Sequence, residues 1–507
     1  MTPDPLTPAR RLFLWVLIFV SGMSVMALEI TASRVMSPHF GSSIFVWANV
    51  IGIIMVALSV GYFVGGRLAE RRPELNVLLR IVAAGALSAA IIPALVRPLA
   101  THVIDLLSGR AGAVQVIAGS FVTLLLLYGL PIVLLGMTSP FAIRLLTLDR
   151  PQVGEAAGGV FAVSTVGSIL GTFVPAFLLV PTIGTRATLL IFAVLLLGTV
   201  AFGLWGARGS AVLVLLAGVP YVAHAGIRPS AHQLAEVESP YQYVEVTEDG
   251  PVRALRFDEG LMVQSEERAN SPLTGGYWDL LLPLPNLPRA EKPKVLILGL
   301  AAGTIARGMI ESRPEGAIAV TGVEIDPDVV ALGERFFSLK RLAGRIDVHV
   351  EDARAFLAHS QERYDLVLLD VYANQRYIPP HLVTREFFAE VKAHLAPGGV
   401  LVANVNSPTT ESKLLRSFVK TLRTEFALVD AVHAPKHWNY ELVCSSEPLD
   451  WDGAAARVPE ALRPIMMFER DHRVLLDDTD GLVLTDDRAP VELLTDAAVY
   501  ASSPGKR

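Results

Sequence analysis

Between residues 12 and 226 the chain carries one long apolar stretch after another, with few charges among them. A hydrocarbon core about 30 Å thick needs roughly 20 apolar residues in a helix. Segments 12–35, 43–66, 77–97, 112–137, 156–181 and 186–206 reach that length. A seventh, 210–226, is shorter and holds Pro220. Because lipid offers no partner to a backbone N–H or C=O, such segments must be helical. The expectation is an α-helical transmembrane bundle of six or seven helices over residues 1–228, with the lipid bilayer as a partner. The first stretch is too long for a cleaved leader, lacks a small-residue cleavage site and is followed by further spans.

Arginines mark one side. Arg10 and Arg11 precede the first span, Arg67, Arg71 and Arg72 follow the second, and Arg144 and Arg150 follow the fourth. The opposite loops carry Arg97 and Arg110, so the N-terminus is expected in the cytoplasm. Six spans then leave the second half cytoplasmic, and seven place it outside. Inside the spans, Glu29 is a costly residue at membrane depth. It reads either as a substrate or proton site paired with Arg34 or as a structural ion pair near the membrane surface. The fifth span is rich in small residues, including Gly158, Gly159, Ser164, Gly167, Ser168 and Gly171, at a spacing that lets helices approach closely. Gly61, Gly65, Gly66 and Arg67, leading to Glu70, Arg71 and Arg72, resemble the loop between the second and third helices of major-facilitator transporters.

Residues 230–507 hold most of the charge and read as an ordinary globular enzyme. The formal net charge is −6 and no Lys/Arg-rich run occurs, which argues against nucleic acid as a partner. The single cysteine, Cys444, excludes an intramolecular disulfide and a cysteine-cluster metal site, and no metal is expected. It reads as inert packing.

The strongest local signal starts at Lys294. Val295–Leu298 is a short apolar run suited to a buried parallel strand, followed by Gly299-Leu300-Ala301-Ala302-Gly303-Thr304 and a helical pattern over 305–312. A second strand through Ile318, Val320 and Val323 ends at Glu324-Ile325-Asp326. Strand, glycine turn, helix, strand and acid is the arrangement in which the backbone closes on a nucleotide and the acid accepts from ribose hydroxyls. A third strand, Ile346–Val350, ends at Glu351-Asp352-Ala353. A fourth, Tyr364–Leu369, ends at Asp370. A helix over Phe387–Leu395 and a Pro397-Gly398-Gly399 turn lead into a fifth strand, Val400–Asn404. Ligands of open α/β sheets bind at the carboxyl ends of strands. A sheet built for structure alone has no need of Glu324, Asp352 and Asp370 at three such ends. NAD binding is the other reading of glycines plus acid; the third acid and the Pro-Gly-Gly segment favour the methyltransferase-type sheet. The expected fold is therefore α/β, a methyltransferase-like (Rossmann-type) doubly wound sheet over 286–507, preceded by a small β-subdomain over 229–285.

On these residues the chain resembles the spermidine synthase (aminopropyltransferase) family over roughly 235–500. Glu238-Ser239-Pro240-Tyr241-Gln242-Tyr243 is similar to the segment in which a glutamine lies near the nucleoside. Asp258-Glu259-Gly260 followed by Gln264 is similar to the segment carrying a second ligand glutamine. Glu324 resembles the ribose acid, and Asp352-Ala353 the adenine-side pair. Several membrane spans ahead of such a domain, and Leu484-Thr485-Asp486-Asp487-Arg488-Ala489-Pro490, resemble the bacterial group with a fused membrane half. The resemblance implies decarboxylated S-adenosylmethionine as co-substrate, or S-adenosylmethionine, held by Gln242, Gln264, Gly299, Gly303, Glu324, Asp326, Asp352 and Ala353. It implies Asp370 and Tyr372 as the candidate catalytic residues facing a small-molecule amine, and a homodimer through the soluble half. A cofactor made in the cytoplasm favours a multi-pass inner-membrane protein whose soluble half is cytoplasmic.

The departures matter chemically. Ala302 stands where the family has an aspartate in the glycine turn, and Ala373 and Asn374 follow Tyr372 where a second acid is usual. An amine is protonated at neutral pH and must lose a proton before it attacks, and a diamine also needs anions for its far end. Tyr277 lies near the place of a further family tyrosine. His381 reads as a general base or a loop residue, and Trp438 as a pocket cap or a core aromatic. A methyltransferase acting on a membrane-associated substrate, and a transporter or sensor with a nucleoside-binding domain that does not turn over, stay open beside aminopropyl transfer.

Overall fold

The computed structural model describes residues 7–40, 43–107, 112–148, 152–205, 232–257, 263–373 and 377–501. It divides into two compact units, Met1–Pro229 and Ser230–Arg507.

The first unit is helical: α1 (Pro8–Phe40), α2 (Ile44–Arg71), α3 (Leu75–Leu106), α4 (Gly112–Gly136), the short α5 (Thr138–Leu146), α6 (Val153–Val174), a π-helical turn at Pro175–Leu179, and α7 (Val180–Trp205). Among the described residues five helical runs are long and apolar enough to cross a bilayer, and the fifth, Val153–Leu204, has 52 residues. At 1.5 Å per residue a straight helix of that size would be about 78 Å long, more than twice the hydrocarbon thickness. Gly184, at φ 80° and ψ 165°, breaks it. The expected segments 156–181 and 186–206 lie on either side of that break; the expected segment 210–226 lies outside the described residues. The stretch from Gly61 to Arg71, which resembles a transporter loop, is instead the interior and last turns of α2. Gly61 sits there against the Val133 carbonyl of α4.

The small residues of α6 have a direct use. A Cβ on Gly171 would lie 2.0 Å from the Met23 carbonyl oxygen, and one on Gly167 2.2 Å from that of Phe19. The backbones of α1 and α6 therefore touch, and Ser168 Oγ donates to the Gly22 carbonyl across the seam at 3.3 Å. Large apolar side chains point outward, among them Phe177, 76% exposed, and Ile44, 68% exposed. An exposed apolar surface of that extent suits lipid rather than water.

The second unit opens with a four-stranded antiparallel sheet, β1 (Gln233–Glu238), β2 (Tyr243–Asp249), β3 (Val252–Phe257) and β4 (Val263–Arg268), in that order. The Asp258-Glu259-Gly260 segment lies outside the described residues. An eight-stranded sheet follows, made of β5 (Lys294–Leu298), β6 (Ala319–Glu324), β7 (Ile346–Val350), β8 (Tyr364–Leu369), β9 (Leu395–Asn406), β10 (Leu428–His433), β11 (Asn439–Ser445) and β12 (Arg473–Val474), in the order β12-β10-β11-β9-β8-β5-β6-β7. The strands from β7 to β9 are parallel, and β11, β10 and β12 add antiparallel strands at one edge. Apolar clusters cover both faces of this sheet. Strand order reverses between β5 and β8, so their carboxyl ends open the crevice where a ligand of such a sheet sits.

Two local readings change. The helix expected over 387–395 runs Arg385–Ala393, because Thr384 Oγ1 caps it by accepting from Phe387 N at 3.2 Å. Pro397-Gly398-Gly399 is not a turn before a strand but a bulge within β9: Tyr364 pairs with Leu395, and the next pair is Leu366 with Val400.

Candidate active site

The chain leaves β5 at Gly299 with φ 90°. A Cβ there would lie 2.2 Å from the Asp370 carbonyl oxygen, so the two strand ends at the switch point meet at a position only glycine fills. The turn is held from both sides. Ser265 Oγ on β4 accepts from Ala302 N at 2.9 Å, and Thr304 Oγ1 accepts from Glu266 N at 2.9 Å. On the other side Glu324 Oε2 accepts from Ala301 N at 2.8 Å, and its Oε1 accepts from Asp326 N at 3.1 Å. Burial pushes the Glu324 carboxyl up to about 7 against these bonds.

A cavity of about 190 Å³ opens over these strand ends. Of the expected ligand residues it is lined by Gln242, Gln264, Gly299, Glu324, Asp352 and Ala353, together with Asp370, Tyr372 and His381. Gly303 and Asp326 are not among its lining residues. Gly303, at φ 89°, begins the helix α8 (Thr304–Glu311). Asp326 is fully buried, with Oδ1 accepting from Asp328 N at 3.0 Å and Oδ2 from Ser239 Oγ at 2.6 Å. Ser239 Oγ in turn accepts from Gln242 N at 3.0 Å. Asp326 Oδ1 thus caps the helix that follows β6 and its Oδ2 holds the Gln242 turn through Ser239, so the residue expected as a direct ligand stands behind the cavity lining.

Asp352 caps the next helix, its Oδ1 accepting from Arg354 N and Ala355 N at 2.9 and 3.0 Å. Its Oδ2 lies 2.9 Å from His381 Nε2. Burial opposes its charge, but the imidazole and the two backbone N–H groups outweigh this and hold the carboxyl below the ordinary range. Arg354, the second residue after Asp352, binds Glu390 at 2.7 Å and Asp486 at 2.7 Å. Asp486 belongs to the Leu484–Pro490 segment, so that segment is fastened beside the cavity; the Arg354 guanidinium pulls its carboxyl down to about 2.

Asp370 forms a separate corner. Its Oδ1 accepts from Asn404 Nδ2 at 2.7 Å and its Oδ2 from the Tyr277 hydroxyl at 3.0 Å. Burial nevertheless pushes it up to about 6, near the range of a working base. Tyr372, the other candidate catalytic residue, also lines the cavity; its hydroxyl donates to the Asn404 carbonyl at 3.1 Å and accepts from Asn406 N at 2.8 Å, so β9 engages it. Ala302 is buried with its methyl toward Gly333 and is not a lining residue, whereas Ala373 is one. Of the two departures, the one at 373 therefore changes the cavity wall. Trp438 is exposed rather than core, and Cys444 is fully buried.

Asn404 and Arg354 carry much of this geometry and are missed by sequence reasoning. Asn404 closes an otherwise apolar strand, and Arg354 follows a helix-capping acid; each was a usable signal.

A family model described as spermine/spermidine synthase domain matches residues 276–436. The polyamine aminopropyltransferase of Vibrio vulnificus is 31% identical over 278 residues, which cover 51% of this chain and 90% of that protein. The chain belongs to the polyamine aminopropyltransferase family. A probable polyamine aminopropyl transferase of Bifidobacterium longum is also 31% identical, over 51% of this chain, and the chain spans 61% of that relative's length. Polyamine aminopropyltransferase 1 of Streptomyces coelicolor is 26% identical over 454 residues, 83% of this chain and 81% of that protein. That match is longer than the second unit, so likeness within the aminopropyltransferase family extends into the helical half.

Proposed function

We propose that this chain is a membrane-embedded aminopropyltransferase that moves an aminopropyl group from decarboxylated S-adenosylmethionine to an amine. The observation that carries the reading is Asp370, a partly buried carboxylate pushed up to about 6 and aimed by Tyr277 and Asn404, in the same cavity as Glu324 and Asp352. The acids at the ends of β6 and β7, which line one cavity with Gln242 and Gln264, suit the hydroxyl and amino donors of a nucleoside. Gln242, Gln264, Glu324 and Asp352 would hold the nucleoside. The co-substrate supplies a carbon made electrophilic by its sulfonium, and a thioether nucleoside leaves. The protein's share is to hold the amine in line and take its proton at Asp370. The apolar helices, with arginines near their ends, support a multi-pass protein of the cell membrane with the second unit in the cytoplasm.

Ala373 in the cavity wall supports a second reading, methyl transfer to a membrane-associated substrate, because the usual second acid is absent. Incubation of the full chain with co-substrate labelled separately in the aminopropyl and methyl groups tests both. Aminopropyl label in an amine product, lost in Asp370→Asn, is the expected result. Methyl label in lipid or protein, with none in amines, would replace it.

A further inference from the structure

A second cavity of about 420 Å³ adjoins the first, and Gln264, Trp278 and Tyr372 line both. Two bonded paths join it to Asp370. Tyr277, in its wall, donates from its hydroxyl to Asp370 Oδ2 at 3.0 Å. Asn439, also in its wall, donates to Asn404 Oδ1 at 3.0 Å, and Asn404 Nδ2 donates to Asp370 Oδ1 at 2.7 Å. An amine held at Asp370 has this space for the rest of its molecule.

The charge of the wall says what that rest is. Among the described lining residues the one carboxylate is Glu266, and its Oε1 already accepts from Arg268 Nε at 2.9 Å. The Nη1 and Nη2 groups of Arg268 have no protein partner among the described residues, and the side chain is 46% exposed. Gly275 leaves that edge open. It sits at φ 79°, and a Cβ there would lie 3.6 Å from Arg268 Nη2, so a longer side chain would cover the guanidinium. The strand end that carries the cation is held in place. Thr304 Oγ1 accepts from Glu266 N at 2.9 Å and donates to the Glu266 carbonyl at 3.0 Å, and Arg307 Nη2 donates to the Arg268 carbonyl at 3.1 Å. Asn406 and His437, the latter with its ring centroid 6.3 Å from that of Tyr277, bring further side-chain N–H groups to the same wall. A second ammonium entering here would meet a carboxylate already paired and a guanidinium of its own sign. A carboxylate would meet the planar fork that fits it.

We propose that the acceptor is an ω-amino acid, with its amine at Asp370 and its carboxylate on the free edge of Arg268. This rests on the aminopropyl-transfer reading and names the acceptor class for that site. The ammonium gives one proton to Asp370, and its nitrogen then forms a bond to the aminopropyl carbon beside the sulfonium. The carbon–sulfur bond breaks with its electron pair going to sulfur, which leaves a neutral thioether and a secondary ammonium that keeps the carboxylate.

The test uses the full chain in detergent micelles with acceptors matched in length. 4-Aminobutyrate is set against butane-1,4-diamine, and 5-aminopentanoate against pentane-1,5-diamine, so that each pair differs only in a carboxylate exchanged for an aminomethyl group. The wild type is expected to favour the amino acid of at least one pair by roughly tenfold or more in kcat/KM. Arg268→Gln removes that preference chiefly through the KM of the amino acid, and Arg268→Lys, which keeps the charge but not the fork, falls between. Binding of the decarboxylated co-substrate reports that each variant is folded. A wild type that favours the diamine in both pairs overturns the inference whatever the variants do, and leaves aminopropyl transfer standing. A folded Arg268→Gln with an unchanged ratio overturns it as well. Calorimetry with 5-aminopentanoate alone separates the two readings. Binding that Arg268→Gln abolishes, in a wild type that transfers to no amine, supports the carboxylate site and overturns only the transfer reading. Binding of equal strength in wild type and Arg268→Gln overturns the carboxylate site.

Discussion

The two halves of this chain bury polarity in opposite ways. In the helical unit the buried polar side chains are hydroxyls, and several close on neighbouring groups, as Ser21 does on Thr138 at 3.1 Å and Thr31 on the Ala27 carbonyl at 2.7 Å. Its tightest contacts are backbone against backbone at glycine, and its outer surface is apolar. In the α/β unit the core is apolar, and carboxylates are carried inward to the ends of β6, β8 and the middle of β11. Lipid gives helices no hydrophobic reason to associate, so close packing must do it. Water gives the sheet a strong reason to close, and that stability supports the cost of placing acids at its strand ends.

Substitutions that strike one half and spare the other test this contrast. The largest effect is expected for Asp370→Asn, which keeps the shape and the Asn404 contact but removes the base. Transfer falls by about 10²-fold or more. Co-substrate affinity measured by calorimetry stays within a few-fold, because Glu324 and Asp352 are untouched. Equal losses of turnover and binding would instead make Asp370 part of the nucleoside cradle.

Gly171→Leu strikes the other half. A Cβ placed 2.0 Å from the Met23 carbonyl must push α1 from α6. The expected cost is about 3 kcal/mol, toward the upper end for overpacking, since the obstacle is backbone and cannot rotate away. Thermal unfolding followed in the helical unit should shift down while nucleoside binding persists. A Tm equal to wild type would mean the two helices are not held by that contact.

Tyr277→Phe has a smaller and more diagnostic effect. The Tyr277 hydroxyl bond lowers the Asp370 pKa against burial, so losing it raises that pKa above about 6. Asp370 acts as a base only when ionised, so rate is lost as pH falls through its pKa, and the acid limb of the pH–rate profile moves to higher pH. At neutral pH the expected loss is about tenfold, the worth of one hydrogen bond to a charged group. An unshifted acid limb would separate Asp370 from the titration that governs rate.

How much of this was legible differs between the halves for physical reasons. Apolar length located the helices, because a helix able to cross a bilayer must be apolar over some 20 successive residues. It did not reveal that Gly61 to Arg71 continue α2, since glycine in a helix and glycine in a loop look alike until the neighbouring backbone is seen. In the α/β half, period and strand ends located Gly299, Glu324, Asp352 and Asp370. The division of labour among the acids was not legible: Asp326 and Tyr372 are chemically equal to their neighbours but are consumed by Ser239 and by β9.

The smallest expected effect concerns His381. It contributes one half-exposed contact to Asp352, whose other oxygen is held by two backbone N–H groups. In His381→Ala the Asp352 carboxyl loses one of the influences that lower its pKa and moves up toward the ordinary range. That still leaves it ionised at pH 7, and a half-exposed pair of this kind is worth about 1 kcal/mol or less. The KM for the co-substrate should therefore rise by no more than about fivefold, with kcat nearly constant. A large fall in kcat, with KM unchanged, would make His381 the general base in place of Asp370. The acid side of the cavity would then divide between nucleoside and amine differently from the division drawn here between Asp352 and Asp370.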